Sequence, residues 1–348
     1  MISPTEKSLS CKVAFFCSPI GLGHATRDIA VASLFEKTNT KFVTGAAAVK
    51  LISECGFDVD DLYRPPKFEV KEGRLEKSLK WLWQYYQYYK DCKAIVRKFI
   101  KTEKPDIIIS DEDFASISIA HEEKIPTVLI TDILQTRFTS GFGSIIEKKM
   151  NKSMQDMIKK CNFVILPEFG NDKDNIRYVG PIVRETKSTR EDLREKLSFV
   201  KKTITVSVGG TDAGRFLIDK MIQISKKLGD VDVVIVSGPL LQTRESNIRN
   251  LGFVNNLHEI IYASDLIVSL AGKSTIDEAK VYGTPGIFIP IKNHFEQEDN
   301  ARTEGYTHQD LFRLEELILK KLNEPRHRTG TSGAQKAWQV IKQTMTNT

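Results

Sequence analysis

The chain has 348 residues, 41% of them hydrophobic and 28% charged, with a formal net charge of +6. That length favours two α/β domains of roughly 150–200 residues over a single core, and no apolar run approaches the ~20 residues a membrane span needs. The N-terminal stretch lacks the pattern of a secretory signal. The five cysteines (Cys11, Cys17, Cys55, Cys92, Cys161) form no C-x-x-C pair, which argues against a disulfide framework or a zinc site and fits a reducing cytosol.

Residues 12–17 read as a strand, followed by Gly21-Leu22-Gly23-His24 and a helix through Ile29, Ala32 and Leu34. A Gly-x-Gly turn lets a ligand approach the backbone closely, although the third glycine of a dinucleotide fingerprint is missing. His24 falls in the first helical turn at the carboxyl edge of the sheet. There the helix dipole disfavours imidazolium and suits a neutral base; a capping or surface histidine is the alternative. Residues 41–44 read as a second strand, 46–55 as a helix, and a third strand lies near 57–59.

Residues 71–104 differ in composition, with ten basic residues against four acidic, an excess equal to that of the whole chain. Among them lies the aromatic run 81–89. Leu75, Leu79, Leu82, Tyr86 and Tyr89 are spaced for one helix face directed at the core. The remaining aromatics and their basic flanks suit either a docked helix lining an acceptor site or a surface resting on anionic headgroups. No nucleic-acid motif accompanies the charge.

Residues 105–111 and 126–132 are apolar strands that deliver Ser110, Asp111, Asp113, Thr131 and Asp132 to the same edge. Each carboxylate there orients His24, meets a hydroxyl, or caps a helix. Residues 134–150 read as loop and helix, with a flexible Gly141-Phe142-Gly143. Residues 162–166 read as the last strand of the first half, and the polar stretch 185–191 as the domain boundary.

The second half restarts the rhythm. The strand 203–208 leads into Gly209-Gly210-Thr211, and a helix follows with Leu217, Met221, Ile224 and Leu228 on one face. Strands come next at 231–236 and 248–254, then a short helix 258–263. The segment 265–302 reads as strand (266–270), small-residue loop opening a helix (271–275), Gly283-Thr284-Pro285 stop, strand (286–291), and a polar loop holding His294, Glu296, Gln297, Glu298, Asp299 and Asn300. A loop at a helix N-terminus on the carboxyl edge of a parallel sheet suits a phosphate or a sugar hydroxyl. Helices are expected around 311–322 and 334–345.

With both glycine loops and 265–302 in hand, the chain resembles the GT-B glycosyltransferases, most closely the family 28, MurG-like UDP-sugar transferases. The resemblance covers nearly the whole chain, specifically from about 184 to 302 and loosely between 40 and 160. It implies two Rossmann-like domains with parallel sheets facing across a cleft: an acceptor-binding domain at 1–185, a nucleotide-sugar domain at 186–324, and a C-terminal helix within 325–348 packing back on the first. It also implies transfer of a sugar, N-acetylglucosamine or another hexose, from UDP-N-acetylglucosamine or UDP-glucose to a lipid-linked or glycan hydroxyl. Transfer would be inverting and independent of metal or other cofactor. A cytoplasmic location follows, with peripheral membrane contact through 71–104 at the inner face.

Position by position, His24 with Gly23 matches the glycine-histidine loop and is the candidate base, with Asp111 as the second catalytic candidate. Arg184 matches the arginine that approaches the diphosphate, Gly209-Gly210-Thr211 the Gly-Gly-Ser loop, and Phe253 and Val254 the uracil contact. Gly272, Lys273 and Ser274 match the diphosphate loop, Glu278 the ribose acid, and Gln297 the donor-sugar glutamine. Lys273 stands where that pattern has an uncharged residue, and a double glutamine is here Gln297-Glu298. Arg27, three places after His24, also resembles UDP-sugar hydrolases of the same fold. A non-catalytic nucleotide-binding or membrane-tethering subunit is the remaining alternative.

Overall fold

The computed structural model describes residues 11–66, 70–71, 74–75, 79–135, 143–209, 212–236 and 248–346. The chain divides into two compact units: Met1–Pro66, Ser78–Ile182 and Ser332–Thr348 form the first, and Lys67–Lys77 with Val183–Thr331 the second. The division falls at 182/183 rather than within 185–191. The first unit regains the chain from 332, and the second takes in 67–77.

The strands of the first unit are β1 (Val13–Cys17), β2 (Thr40–Thr44), β3 (Asp58–Asp61), β6 (Ile107–Asp111), β7 (Thr127–Ile130), β8 (Phe163–Leu166) and β9 (Ile176–Tyr178); β4 (Val70–Lys71) and β5 (Arg74–Leu75), within the second unit's 67–77, pair antiparallel with each other. The seven form one parallel sheet in the order β3-β2-β1-β6-β7-β8-β9. β1, Val-Ala-Phe-Phe-Cys, is buried throughout, as a strand covered on both faces must be. Phe15 stacks on Phe42 with ring centroids 4.9 Å apart, and Phe16 meets Phe99 edge-on at 5.2 Å. The order reverses at β1, so α1 (Gly23–Ala32) after β1 and the end of β6 share the crevice where such sheets bind ligands.

Its other helices are α2 (Ala47–Glu54), α3 (Leu79–Glu103), α4 (Phe114–Glu123), α5 (Gly143–Lys160) and, from the returning segment, α12 (Ala334–Thr346). In α3 the buried face runs through Tyr88, Tyr89, Cys92, Val96, Phe99 and Ile100, a 3-4 spacing set by the half of the helix beyond Tyr88. The expected face is corrected in part: Tyr89 packs on the core, Leu75 lies in β5 outside the helix, Tyr86 is 54% exposed, and the side chains of Leu79 and Leu82 lie outside the described residues. Trp83 is also exposed, at 64%. β9 likewise adds an edge strand after 162–166, the stretch read as the last of this half.

The second unit orders its five parallel strands β12-β11-β10-β13-β14: β10 (Lys202–Ser207), β11 (Val231–Val236), β12 (Ile248–Gly252), β13 (Leu266–Leu270) and β14 (Gly286–Ile289). Its helices are α6 (Arg190–Leu197), α7 (Arg215–Ser225), α8 (Leu257–Ala263), α9 (Lys273–Tyr282), α10 (Phe295–Thr303) and α11 (Leu314–Lys321). The reversal falls between β10 and β13, which places the Gly209 and Gly272 loops side by side at one edge. α9 ends on Gly283 at φ +69°, a left-handed position that glycine takes without Cβ strain. Where a polar loop is expected after β14, the chain forms α10, capped by His294, whose Nδ1 accepts from the Gln297 amide at 3.4 Å.

Candidate functional site

Each unit gathers its candidate residues at the carboxyl edge of its sheet. In the first, parallel pairing sets Cys17 of β1 against Asp111, the last residue of β6. Gly23 opens α1, and one turn of helix carries His24 and Arg27 over that strand end. His24 Nδ1 lies 2.8 Å from Asp111 Oδ1. Arg27 holds the same carboxylate in a fork, Nε to Oδ2 and Nη2 to Oδ1 at 2.5 Å each, and reaches Asp132 with Nη1 at 2.6 Å. A carboxylate only accepts, so His24 donates from Nδ1 and its Nε2 is left as the basic atom. The 3.2 Å approach of Arg27 Nη2 to Nδ1 is then a contact, not a hydrogen bond.

Asp111 is fully buried, and the charges of Arg27 and His24 hold its carboxyl well below the usual range despite that burial. The effect on His24 is the reverse of the dipole argument. Burial pulls its pKa down, but the charge and hydrogen bond of Asp111, helped by Glu112, raise it to about 9. Two carboxylates within 4 Å outweigh a helix terminus, so the resting imidazole is protonated at neutral pH.

Glu112 is a residue the sequence reading passed over. Its backbone sits at φ +52°, which turns the side chain back so that Oε1 accepts from Thr131 Oγ1 at 3.1 Å and from the Asp132 amide at 3.0 Å. Its Oε2 lies 3.8 Å from His24 Nε2. Asp113 takes the capping role instead. It accepts from the Ala115 and Ser116 amides at the start of α4 and from the Tyr63 hydroxyl at 2.6 Å. Arg27→Met leaves Asp132 without its cation and Asp111 with His24 alone, and is expected to cost about 3–5 kcal/mol of stability in urea unfolding.

In the second unit, Glu278 projects from α9 and is 2% exposed, and its Oε1 has no hydrogen-bond partner among the described residues. Burial raises its pKa to about 7, against the opposing charge of Arg184. Arg184 is placed from both ends: its Nη1 donates to the Asn255 carbonyl at 2.5 Å, and its own carbonyl accepts from the Tyr282 hydroxyl at 2.8 Å. His258, at the start of α8, is buried beside it and kept neutral, its pKa pushed down to about 3 by burial and the Arg184 charge.

Phe253 and Val254 follow β12 and are half-buried; Val254 also packs on the Leu193–Phe199 core. Gly272 caps α9 with no side-chain hydrogen bond, and Ser274, in the first turn, is half-buried. Lys273, the departure from the family pattern, is bound to Asp277 by contacts of 2.6 and 2.7 Å. Gly209 sits at φ +76° with open space where a Cβ would stand; Gly210 and Thr211 lie outside the described residues. Gln297 accepts from the Ile291 amide through Oε1 at 3.0 Å, and Asn300 ties α10 to the Ala271 carbonyl at 3.2 Å. The structure thus gathers Arg184, Glu278, Gly272, Lys273 and Ser274 at the β10/β13 reversal, and His24 with Asp111 at the β1/β6 reversal. Among the described residues no group of three His, Cys, Asp or Glu side chains is arranged to hold a metal ion.

The family model described as the glycosyltransferase family 28 C-terminal domain matches residues 203–343. Over 346 residues the chain is 26% identical to an uncharacterized glycosyltransferase of Methanosarcina acetivorans, an alignment covering 90% of this chain and 89% of the relative. Over 253 residues it is 28% identical to the UDP-N-acetylglucosamine--N-acetylmuramyl-(pentapeptide) pyrophosphoryl-undecaprenol N-acetylglucosamine transferase of Desulforamulus reducens, covering 65% and 64% of the two chains. Among solved structures it is similar to the glycotransferase of kitacinnamycin, with a TM-score of 0.70 at 12% identity over 96% of this chain and 99% of that one.

Proposed function

We propose that the chain is a family 28 glycosyltransferase of the GT-B fold and that it moves a hexose, N-acetylglucosamine or glucose, from its UDP-linked donor to an acceptor hydroxyl, with inversion and without a metal ion. The observation that carries this reading is Glu278. Among the described residues this buried carboxyl, on the helix behind a glycine loop, has an oxygen with no hydrogen-bond partner, and the hydroxyls of a ribose would supply one.

The other groups take their roles from the chemistry that each unit offers separately. Arg184, the Gly209 loop and the start of α9 take up the charge that develops on the departing diphosphate, in place of a cation. Gln297, its Oε1 committed to Ile291, offers its amide nitrogen to a hydroxyl of the donor sugar. The acceptor hydroxyl attacks the anomeric carbon from the face opposite the diphosphate, and its proton passes to His24 Nε2. Asp111 holds the ring in the tautomer this requires.

A thermal-shift screen over nucleotide sugars tests the donor, with UDP-N-acetylglucosamine first and UDP-glucose second. Rapid release of free sugar from donor alone, with no acceptor present, would replace transfer by hydrolysis.

A lipid-linked acceptor would bring the protein to a membrane surface. Trp83 and Tyr86 are exposed on α3, with Lys90 Nζ 4.5 Å over the Tyr86 ring, and no described helix is long and apolar enough to cross a membrane. Trp83→Ser with Tyr86→Ser is expected to lower sedimentation with anionic liposomes several-fold; unchanged sedimentation would remove this face from the reading.

A further inference from the structure

Asp28 follows Arg27 on α1 and is fully buried, yet neither of its carboxyl oxygens meets a donor among the described residues. Its polar surroundings are the Asp111 carboxylate, the Arg27 guanidinium and the Cys17 thiol, and the thiol points to the Ser18 carbonyl at 3.6 Å. Asp111, Glu112 and Asp132 already outnumber Arg27 and His24, so a fourth ionised carboxyl here has no charge to balance it. The helices packed against α1 supply none. On α2, Lys50 faces Glu54 at 3.8 Å and is exposed. On α12, Lys336 is exposed and Lys342 lies over the Trp338 ring.

We propose that Asp28 is a neutral carboxylic acid that donates its proton to the Asp111 carboxylate, and so positions and tempers the group that holds His24. An acid–carboxylate pair satisfies a buried oxygen of each partner without adding charge. Burial, with the Asp111 charge second, raises the Asp28 pKa well above its ordinary value, in keeping with this arrangement. Asp28 is thus a positioning residue that acts through Asp111. Its effect on turnover rests on the reading of His24 as the base, whereas its protonation does not.

The test is an NMR titration of the His24 ring in the full chain. Asp28→Asn keeps a neutral donor to Asp111 and is expected to leave the His24 pKa within about 0.3 unit of wild type. Asp28→Ala removes the donor, strengthens the pull of Asp111, and is expected to raise it by about 0.5–1 unit. A fall of a unit or more in Asp28→Asn would mean that an ionised aspartate had been removed, and would overturn the proposal. In wild-type protein, which needs no variant to fold, the Asp28 carboxyl carbon is expected to show its protonated shift at neutral pH; an ionised shift there overturns the proposal equally. With His24 as base, Asp28→Ala should also lower kcat about three- to tenfold at pH 7 with the donor KM unmoved. A shifted His24 pKa with unchanged kcat would speak against His24 as base and leave the Asp28 proton in place.

Discussion

Glu278→Gln is expected to weaken binding of a UDP-sugar about ten- to a hundredfold at pH 8, measured by calorimetry, because each charge-assisted hydrogen bond from a ribose hydroxyl is worth about 1.5–3 kcal/mol. The ionised carboxylate is the form that accepts both hydroxyls, and its pKa in the free protein is raised to about 7. Wild-type affinity should therefore rise with pH and level off above about 7, approaching tenfold per unit on the acid side, while the glutamine variant stays flat. A UDP-sugar is the proper probe, since it has no terminal phosphate titrating in the same range. The ligand-free protein should respond in the opposite sense. The folded state keeps a proton on Glu278 that the unfolded chain has lost, so wild-type stability falls as pH rises from about 4.5 through 7, and Glu278→Gln is expected to be the more stable protein at pH 8 by about 1–3 kcal/mol. Equal affinity of variant and wild type at pH 8 would remove Glu278 from the donor site.

His24→Ala is expected to lower transfer by about 10²–10⁴-fold with UDP affinity nearly unchanged. Loss of both together would count against its role as base. In wild type the resting imidazolium, with its pKa near 9, must shed a proton before it can act. The rate constant kcat/KM should accordingly climb with pH toward about 9. Glu112→Gln removes one of the carboxylates that raise the pKa and should move that limb to lower pH. The stability linked to His24 has a definite sign: fully present below its unfolded value of about 6.5, and lost as pH rises through about 9.

The parallel strands were legible in the sequence because strands buried on both faces are continuous apolar runs. Leu266–Leu270 is such a run, and its end fixes where Gly272 must stand. Asp111 was legible for the same reason, as the first charged side chain where Ile107–Ile109 gives way to the sheet edge. Glu112 was not. Its part depends on a left-handed backbone residue that reverses the side chain, and no periodicity records that. Asp113 and Asp111 look alike in a row of three acids; only the start of α4 separates the cap from the histidine's partner. α10 was hidden because Phe295–Thr303 buries little beyond Ala301 and so carries no apolar stripe, its start set by an unusual histidine cap. The charge state of His24 is a matter of three-dimensional neighbours. A dipole can be inferred from the order of elements, but a carboxylate 87 residues away cannot.

The return of α12 to the first unit bears on biosynthesis. Ala337 and Ile341 are fully buried, Trp338 meets Phe35 edge-on at 6.4 Å, and the Gly333 amide donates to the Pro181 carbonyl at 2.6 Å, so this helix closes the hydrophobic face beside α1. On the ribosome the half that carries His24 emerges early but stays unsealed until all of the intervening second unit has been translated. Until then its nascent surface is greasy where α12 will lie, a natural foothold for a chaperone, whereas the later half can fold as soon as it clears the exit tunnel.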